Sequence, residues 1–202
     1  NNGLYQGTRW QYRWAAPQFL DKMIAWVGKD TLCAQLSYFF DHHLYNQGNE
    51  PDIHVPYIFN RLGAPEKTQK LVRSLMTEPM IHKYGGNAEF KTPYFGKAFK
   101  NHPVGYSPEM DEDDGTMSAW YVFGALGFYP MVVGDEYYEL TSPLFDSITL
   151  QLENGNKLSI QVQGRKQKNM PIQSISFNGR EVKDYRISHN ELIKGGKLVF
   201  NY

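Results

Sequence analysis

The chain holds a single cysteine, Cys33, in 202 residues. One thiol excludes an internal disulfide and any zinc site built from several thiolates, and it leaves the redox compartment unmarked. Net charge is missing too. The 21 basic side chains match 21 acidic ones, which argues against a dominant nucleic-acid or anionic-lipid partner. No apolar run approaches the roughly 20 residues of a membrane span. The opening Asn1-Asn-Gly-Leu-Tyr-Gln-Gly7 has no signal-peptide core, although the mature part of an exported protein would read the same way. There is no phosphate-cradling glycine loop and no serine-nucleophile elbow. His42 and His43 are adjacent, so on a helix they diverge by about a hundred degrees and cannot chelate together. Cys33 lies in an apolar helical setting that suits a core filler better than a nucleophile.

What is present is enough chain for one large or two small domains with a sizeable core. Hydrophobic residues make up 41% and charged residues 21%, as in ordinary globular proteins. Aromatic content is the outlier, at 15% with 14 tyrosines. Rings lie well against the C–H faces of sugars, and they equally well build a large core.

The pattern changes near residue 130. Before it, Pro17–Val27 spaces its apolar residues for a helix that stops at Gly28. Asp30 is expected to cap the next helix, which runs through Thr31–Phe40. A third helix is expected from Pro51 to Gly63, and a fourth from Pro65 through Met76, with Leu71, Leu75 and Met76 on one face. Residues 77–114 hold Gly85-Gly86, Pro79, Pro93, Pro103 and Pro108, a long irregular segment of the kind that usually serves function or is disordered. Met117–Tyr129 is apolar almost all round and reads as a buried helix. Beyond Pro130 the period becomes two. Asp146–Glu153 and Lys157–Gln163 alternate around Asn154-Gly155, Gln173–Phe177 and Arg180–Val182 flank Asn178-Gly179, and Lys197–Phe200 closes the chain. The expected division is a helical part over 1–130 and a β-strand region over 131–202.

Three clusters offer chemistry, each beside a plainer reading. Tyr5–Trp14 mixes rings with glutamine and arginine, as a sugar pocket or as a helix entry packed on the core. Gln47–Tyr57 gathers hydrogen-bonding groups ahead of a helix. There Glu50 and Asp52 would serve equally as first-turn charges, and His54 as a satisfied buried histidine. Asp111, Glu112, Asp113 and Asp114 precede a very apolar helix. Such a run suits a general base with a raised pKa or hard-oxygen ligands for calcium, and equally a solvated acidic helix cap. The spacing is not that of an EF-hand.

Taken in order, these strings resemble the C-terminal half of glycoside hydrolase family 92, calcium-dependent exo-acting α-mannosidases. The matching segments are Trp10-Gln-Tyr, Gly48-Asn-Glu-Pro, His54-Val-Pro-Tyr, Lys67–Arg73, Met117–Pro130, Ser142-Pro-Leu-Phe and the closing Gly195-Gly196 strand. The resemblance runs from about residue 5 to the end. It implies a fold that is mainly α with C-terminal β. In this reading the chain is part of an (α/α)6 barrel followed by a small antiparallel sheet, with the N-terminal β-sandwich and first barrel helices lying outside it.

The resemblance further implies an inverting mechanism, in which an acid protonates the leaving oxygen while a base activates water from the opposite face. Carried over by position, Asp113 is the base and Asp111 its helper. Asn49, Glu50 and His54 belong to the leaving-group side, and Trp10 to the substrate-binding set. Ca2+ is the implied cofactor, holding the mannose 2- and 3-hydroxyls, with ligands that the sequence does not assign. The partner is a mannose-containing glycan, which implies a secreted or periplasmic location.

One departure outweighs the matches. Most members read Tyr-Glu-Gly where this chain reads Tyr5-Gln6-Gly7, so the general-acid position holds a side chain with no proton to give. Losing that proton costs roughly a hundred- to ten-thousandfold with an alkoxide leaving group, whereas a phosphate departs already stabilised. Members with glutamine here resemble enzymes that release mannose from mannose-1-phospho-6-mannose caps. The expected substrate is therefore a mannosyl phosphodiester. The alternatives are an ordinary α-1,2/α-1,3-mannosidase and an inactive carbohydrate-binding remnant. Ile53, where many members have histidine, is a second departure on the leaving-group side.

Overall fold

The computed structural model describes residues 3–84, 92–103, 105–107, 110 and 112–202. Helix α1 (Arg9–Tyr12) is a single turn opened by Thr8. The Thr8 hydroxyl accepts the Gln11 amide at 3.4 Å, and the Gln11 side chain accepts the Thr8 amide at 2.8 Å. This reciprocal cap satisfies two donors that a helix start otherwise orphans. Pro17–Phe19 forms a 3-10 turn leading into α2 (Leu20–Val27), and α3 (Lys29–Asp41) follows after Gly28 alone. Asp30, expected at the cap of α3, lies inside its first turn instead. With only one residue between the two helices, Lys29 is already helical and no side chain caps α3.

The third expected helix is broken into 3-10 turns at Glu50–Asp52 and Val55–Tyr57 before the single turn α4 (Ile58–Arg61). Pro51 and Pro56 are the cause, since proline lacks the N–H that a continuous helix needs and is tolerated only at its start. Helix α5 (Pro65–Thr77) stands as expected, with Val72, Leu75 and Met76 buried. The irregular stretch that follows includes an antiparallel pair, β1 (Pro79–His82) with β2 (Tyr94–Lys97). Helix α6 (Thr116–Leu126) buries Met117 and Trp120 completely and ends at Gly127.

The C-terminal strands form two sheets. Strands β3 (Phe128–Tyr129), β4 (Tyr137–Leu140) and β9 (Arg186–Ser188) make an antiparallel trio. Strands β5 (Ser147–Gln151), β6 (Lys157–Gln163), β7 (Ser174–Phe177), β8 (Arg180–Glu181) and β10 (Gly196–Asn201) make the second, in the order β5-β6-β10-β7-β8. The expectation of a small antiparallel sheet is corrected here, because β10 runs parallel to β6 and antiparallel to β7. The chain leaves this sheet for β9 and the turn α7 (His189–Leu192), then returns between the two hairpins in the direction of β6.

Buried apolar residues form two clusters, one running from Trp14 to Met131 and the other from Phe128 to Tyr202. Polar side chains bolt them together. Asn60 donates to the Leu140 carbonyl at 2.9 Å and to Glu139 at 3.2 Å, Gln69 accepts the Ile172 amide at 3.0 Å, and Arg73 donates to the Pro143 carbonyl at 3.1 Å. These groups are buried, so each bond removes a desolvation cost of about 1–3 kcal/mol.

Candidate functional site

The segment before α1 and the loop of the two 3-10 turns meet across a cavity of about 820 Å³. Gln6, Asn49, Glu50 and His54 line it, together with Gln18 and Thr116. The rest of the wall is apolar, including Tyr12, Pro17, Ile53, Tyr129, Met131 and Val133. A concave site with an apolar body and a few convergent polar groups suits a small polar ligand that also has hydrocarbon faces, and a sugar is such a ligand.

Gln6 sits in the left-handed backbone region, with φ of 50°. Non-glycine residues reach that region only where surrounding structure holds them. Here Asn49 holds it: its Nδ2 donates to the Gln6 carbonyl at 2.7 Å, while its Oδ1 accepts the Glu50 amide at 2.9 Å. Asn49 thus opens the Glu50–Asp52 turn and grips the facing segment. Gly7 leaves room for Tyr12, because a Cβ there would lie 2.6 Å from the Tyr12 ring. The Tyr12 hydroxyl in turn donates to the Tyr5 carbonyl at 2.5 Å.

His54 donates Nε2–H to the Trp14 carbonyl at 2.7 Å. A carbonyl can only accept, so the neutral ring keeps Nδ1 as an acceptor. Burial lowers its pKa, against the raising effect of that hydrogen bond, so the ring is held neutral. Behind the loop, Asp52 is fully buried. It accepts from Gln11 Nε2 at 3.3 Å and from the Asn46 amide at 3.0 Å. Burial pushes its carboxyl up to about 8, against the lowering effect of those bonds.

The acidic run divides. Glu112 folds over the start of α6, its Oε1 accepting the Ser118 amide at 3.0 Å and the Ser118 hydroxyl at 2.6 Å, which is the helix-cap role. Asp113 is exposed in the 3-10 turn Asp113–Gly115, and its carbonyl accepts from Thr116 Oγ1 at 2.6 Å. Because Thr116 lines the cavity, Asp113 stands beside its rim. Asp111 lies outside the described residues. Trp10 does not line the cavity; its ring packs at 6.0 Å from that of Tyr38 on α3. Among the described residues no three histidine, cysteine or acidic side chains converge as metal ligands, and no helix is long and apolar enough to cross a membrane.

Sequence reasoning placed Gln6, Asn49, Glu50 and His54 on the ligand side, and the structure brings these four together. It did not find Gln11 and Asp52 as a pair, reading Asp52 as a first-turn charge. Their separation of 41 residues leaves no periodic trace. The Tyr129–Val133 wall was also missed, and only the clustering of apolar residues after Pro130 hinted at it.

Comparison with known proteins bears on the whole chain. A solved glycosyl hydrolase of family GH92 superposes with a TM-score of 0.89 at 29% identity, over 98% of this chain and 28% of that one. A family GH92 α-mannosidase from Bacteroides thetaiotaomicron, bound to mannoimidazole, matches with a TM-score of 0.79 at 26% identity, over 96% and 25%. A family GH92 inverting mannosidase of the same organism matches with a TM-score of 0.76 at 26% identity, over 98% and 27%. A curated relative from Arthroderma benhamiae, named an uncharacterized secreted glycosidase, is 22% identical over 96% of this chain and 23% of its own length. The chain therefore spans about a quarter of the relatives it matches. The glycosyl hydrolase family 92 catalytic domain matches residues 1–202, and this chain belongs to that family.

Proposed function

We propose that the chain is part of an inverting, exo-acting α-mannoside hydrolase that releases mannose from mannose-1-phospho-6-mannose caps on glycans. The observation that carries this reading is Gln6, lining the cavity beside Asn49, Glu50 and His54 at the position where the family resemblance expects a carboxylic acid. A side-chain amide holds a leaving group by hydrogen bonds but transfers no proton to it.

In this reading Asp113 accepts a proton from water, and the water oxygen bonds to C1 of the mannose. The bond between C1 and the phosphate oxygen breaks with its electron pair, so mannose 6-phosphate leaves without protonation. Asp111 assists on the base side. Asn49, Glu50 and the Nδ1 of His54 receive the departing sugar. Glycans of this type lie outside the cell, which agrees with a secreted or periplasmic location and with the word secreted in the name of the curated relative. The helices are read as the later part of an (α/α)6 barrel completed by the rest of the protein. The division into 1–130 and 131–202 is supported by the two apolar clusters. Calcium belongs to the proposal through the resemblance. The described residues offer no convergent ligand set for it.

The test is mannose release by the full-length protein, with calcium, from mannose-α-1-phospho-6-mannose and from an α-1,2-dimannoside in parallel. Release from the phosphodiester alone is the expected result, with Gln6→Glu gaining activity on the dimannoside. A comparable rate on both substrates in the parent protein would overturn the use made of Gln6. Calcium-dependent mannose binding without turnover of either would identify a binding protein instead. Asp113→Asn should abolish turnover while leaving mannose binding within about threefold, the loss expected when a general base is removed.

A further inference from the structure

Besides the His54–Trp14 bond, two connections join the segments that face each other across the cavity. The outer connection is Asn49 Nδ2 to the Gln6 carbonyl, at 2.7 Å and exposed. The inner one is buried and runs through three side chains that are 1%, 0% and 4% exposed: Gln11, Asp52 and Asn46. Its polarity is set at both ends by backbone N–H groups, which can only donate. The Thr8 amide points at one end of the Gln11 carboxamide, so that atom must be oxygen and Nε2 must turn to Asp52 Oδ1. The Asn46 amide points at Asp52 Oδ2, and the Asn46 side chain then holds the Gly48 amide at 2.9 Å, one residue before Asn49.

Residue 52 therefore needs an acceptor at both positions, and among side chains of this length only a carboxyl supplies two oxygens, each of which keeps a lone pair to accept with even when the buried group holds its proton. Asparagine would turn an NH2 toward a donor, leaving a buried donor unsatisfied at either end. Among the described residues no cation bonds to Asp52 or acts on its charge. Gln11 and Tyr45 face it with their side chains, Asn46 meets it through its main chain, and Tyr45 itself donates to Gln47 at 2.6 Å.

We infer that Asp52 is a positioning residue of the site: through Gln11 and the Asn46 amide it fixes the separation between Gln6 and the Asn49–Glu50 pair, and so the registry of the leaving group. The inference rests on the functional reading above. An error of about 1 Å at a reacting centre costs on the order of a hundredfold, so the effect should appear where the leaving group is a sugar or sugar phosphate gripped by both segments. An aryl mannoside, whose leaving group needs little of that grip, should feel it less.

A second substitution restores the match. In Asp52→Asn combined with Gln11→Glu, the new carboxylate at 11 accepts the Thr8 amide and the NH2 of residue 52, whose oxygen still accepts the Asn46 amide. Every donor is matched again with the same number of atoms. The experiment measures kcat and KM of the full-length protein, of Asp52→Asn and of the double variant, on mannose-α-1-phospho-6-mannose, the α-1,2-dimannoside and an aryl α-mannoside. Asp52→Asn is expected to lower kcat/KM on the productive glycan substrate at least tenfold more than on the aryl mannoside, and the double variant to recover that ratio to within about threefold. Equal losses on both substrate classes, or a folded double variant that does not recover, would overturn the inference. If Asp52→Asn does not fold, the double variant alone decides by the same ratio. A parent protein silent on all three substrates would bring down the functional reading itself. The connection would then be judged by hydrogen exchange at the Thr8 and Asn46 amides, and equal exchange in parent and Asp52→Asn would remove it as well.

Discussion

Trp120 offers a stability test whose size follows from its surroundings. It is fully buried on α6, its indole lies 5.8 Å from the Phe99 ring in a stacked arrangement, and its Nε1–H donates to the Ile53 carbonyl at 2.8 Å. Ile53 directly precedes His54, so this bond ties the apolar helix α6 to the cavity loop. Trp120→Phe removes that donor from a buried carbonyl, at about 1–3 kcal/mol. It also empties on the order of 40 Å³, which at roughly 24 cal/mol per Å³ adds about 1 kcal/mol. The expected loss is about 2–4 kcal/mol in urea unfolding of the 202-residue chain followed by circular dichroism, with an unchanged denaturant slope. Trp26→Phe is the matched control. That indole is 81% exposed, and the same chemical change there should stay within about 0.5 kcal/mol. A Trp120→Phe loss below 1 kcal/mol, or equal losses at both positions, would refute the reasoning.

Two further outcomes follow from buried positions at the junction with the strands. Glu139 is 2% exposed, and burial raises its carboxyl from 4.5 to about 7 despite Asn60, Arg186 and Arg61. Its proton-linked stability is full below about 4.5 and lost as pH rises through about 7. The ceiling on this effect is about 3 kcal/mol at roughly 1.4 kcal/mol per pH unit. Glu139→Gln should flatten that part of the stability–pH curve between pH 4.5 and 7, read by unfolding midpoints, and an unchanged slope would contradict the assignment. Gly127 ends α6 at φ of 92°, where a Cβ would lie 2.7 Å from the Pro143 ring and 3.1 Å from the Thr141 carbonyl. At Gly155, in the β5–β6 turn, φ is 84° and nothing lies within 4 Å. Gly155→Ala should cost about 1–2 kcal/mol from backbone strain alone, and Gly127→Ala should cost clearly more in the same unfolding assay.

Much of the architecture was written locally. Pro65 with a 3.6-residue apolar period specified α5, and Asn154-Gly155 between alternating runs specified the β5–β6 hairpin. The turns at Pro51 and Pro56 were misjudged because the apolar spacing outweighed the missing amides. The direction of β10 was not legible, since alternation shows that a strand exists but not which neighbour it joins. The site followed the same rule. Asn49, Glu50 and His54 are close in sequence and were read as a group, whereas the fit of Asp52 to Gln11 depends on two backbone amides 38 residues apart in the chain. The packing of Trp10 on Tyr38 likewise depends on how α1 meets α3, which no local pattern records.

The place of β10 bears on how the C-terminal sheet assembles. The β5–β6 and β7–β8 hairpins each close over a few residues, and they share no ladder with one another. Each can form in microseconds. Neither becomes part of a larger whole until residues 196–201 enter between them and supply Leu198 and Phe200, both fully buried. The two hairpins are thus joined into one sheet only through β10, which touches both halves. A chain cut at the exposed Lys194 before it would hold a vacant slot for one strand. A separate peptide with the sequence of β10 would have ten partner residues, six on β6 and four on β7, waiting to be paired along that slot.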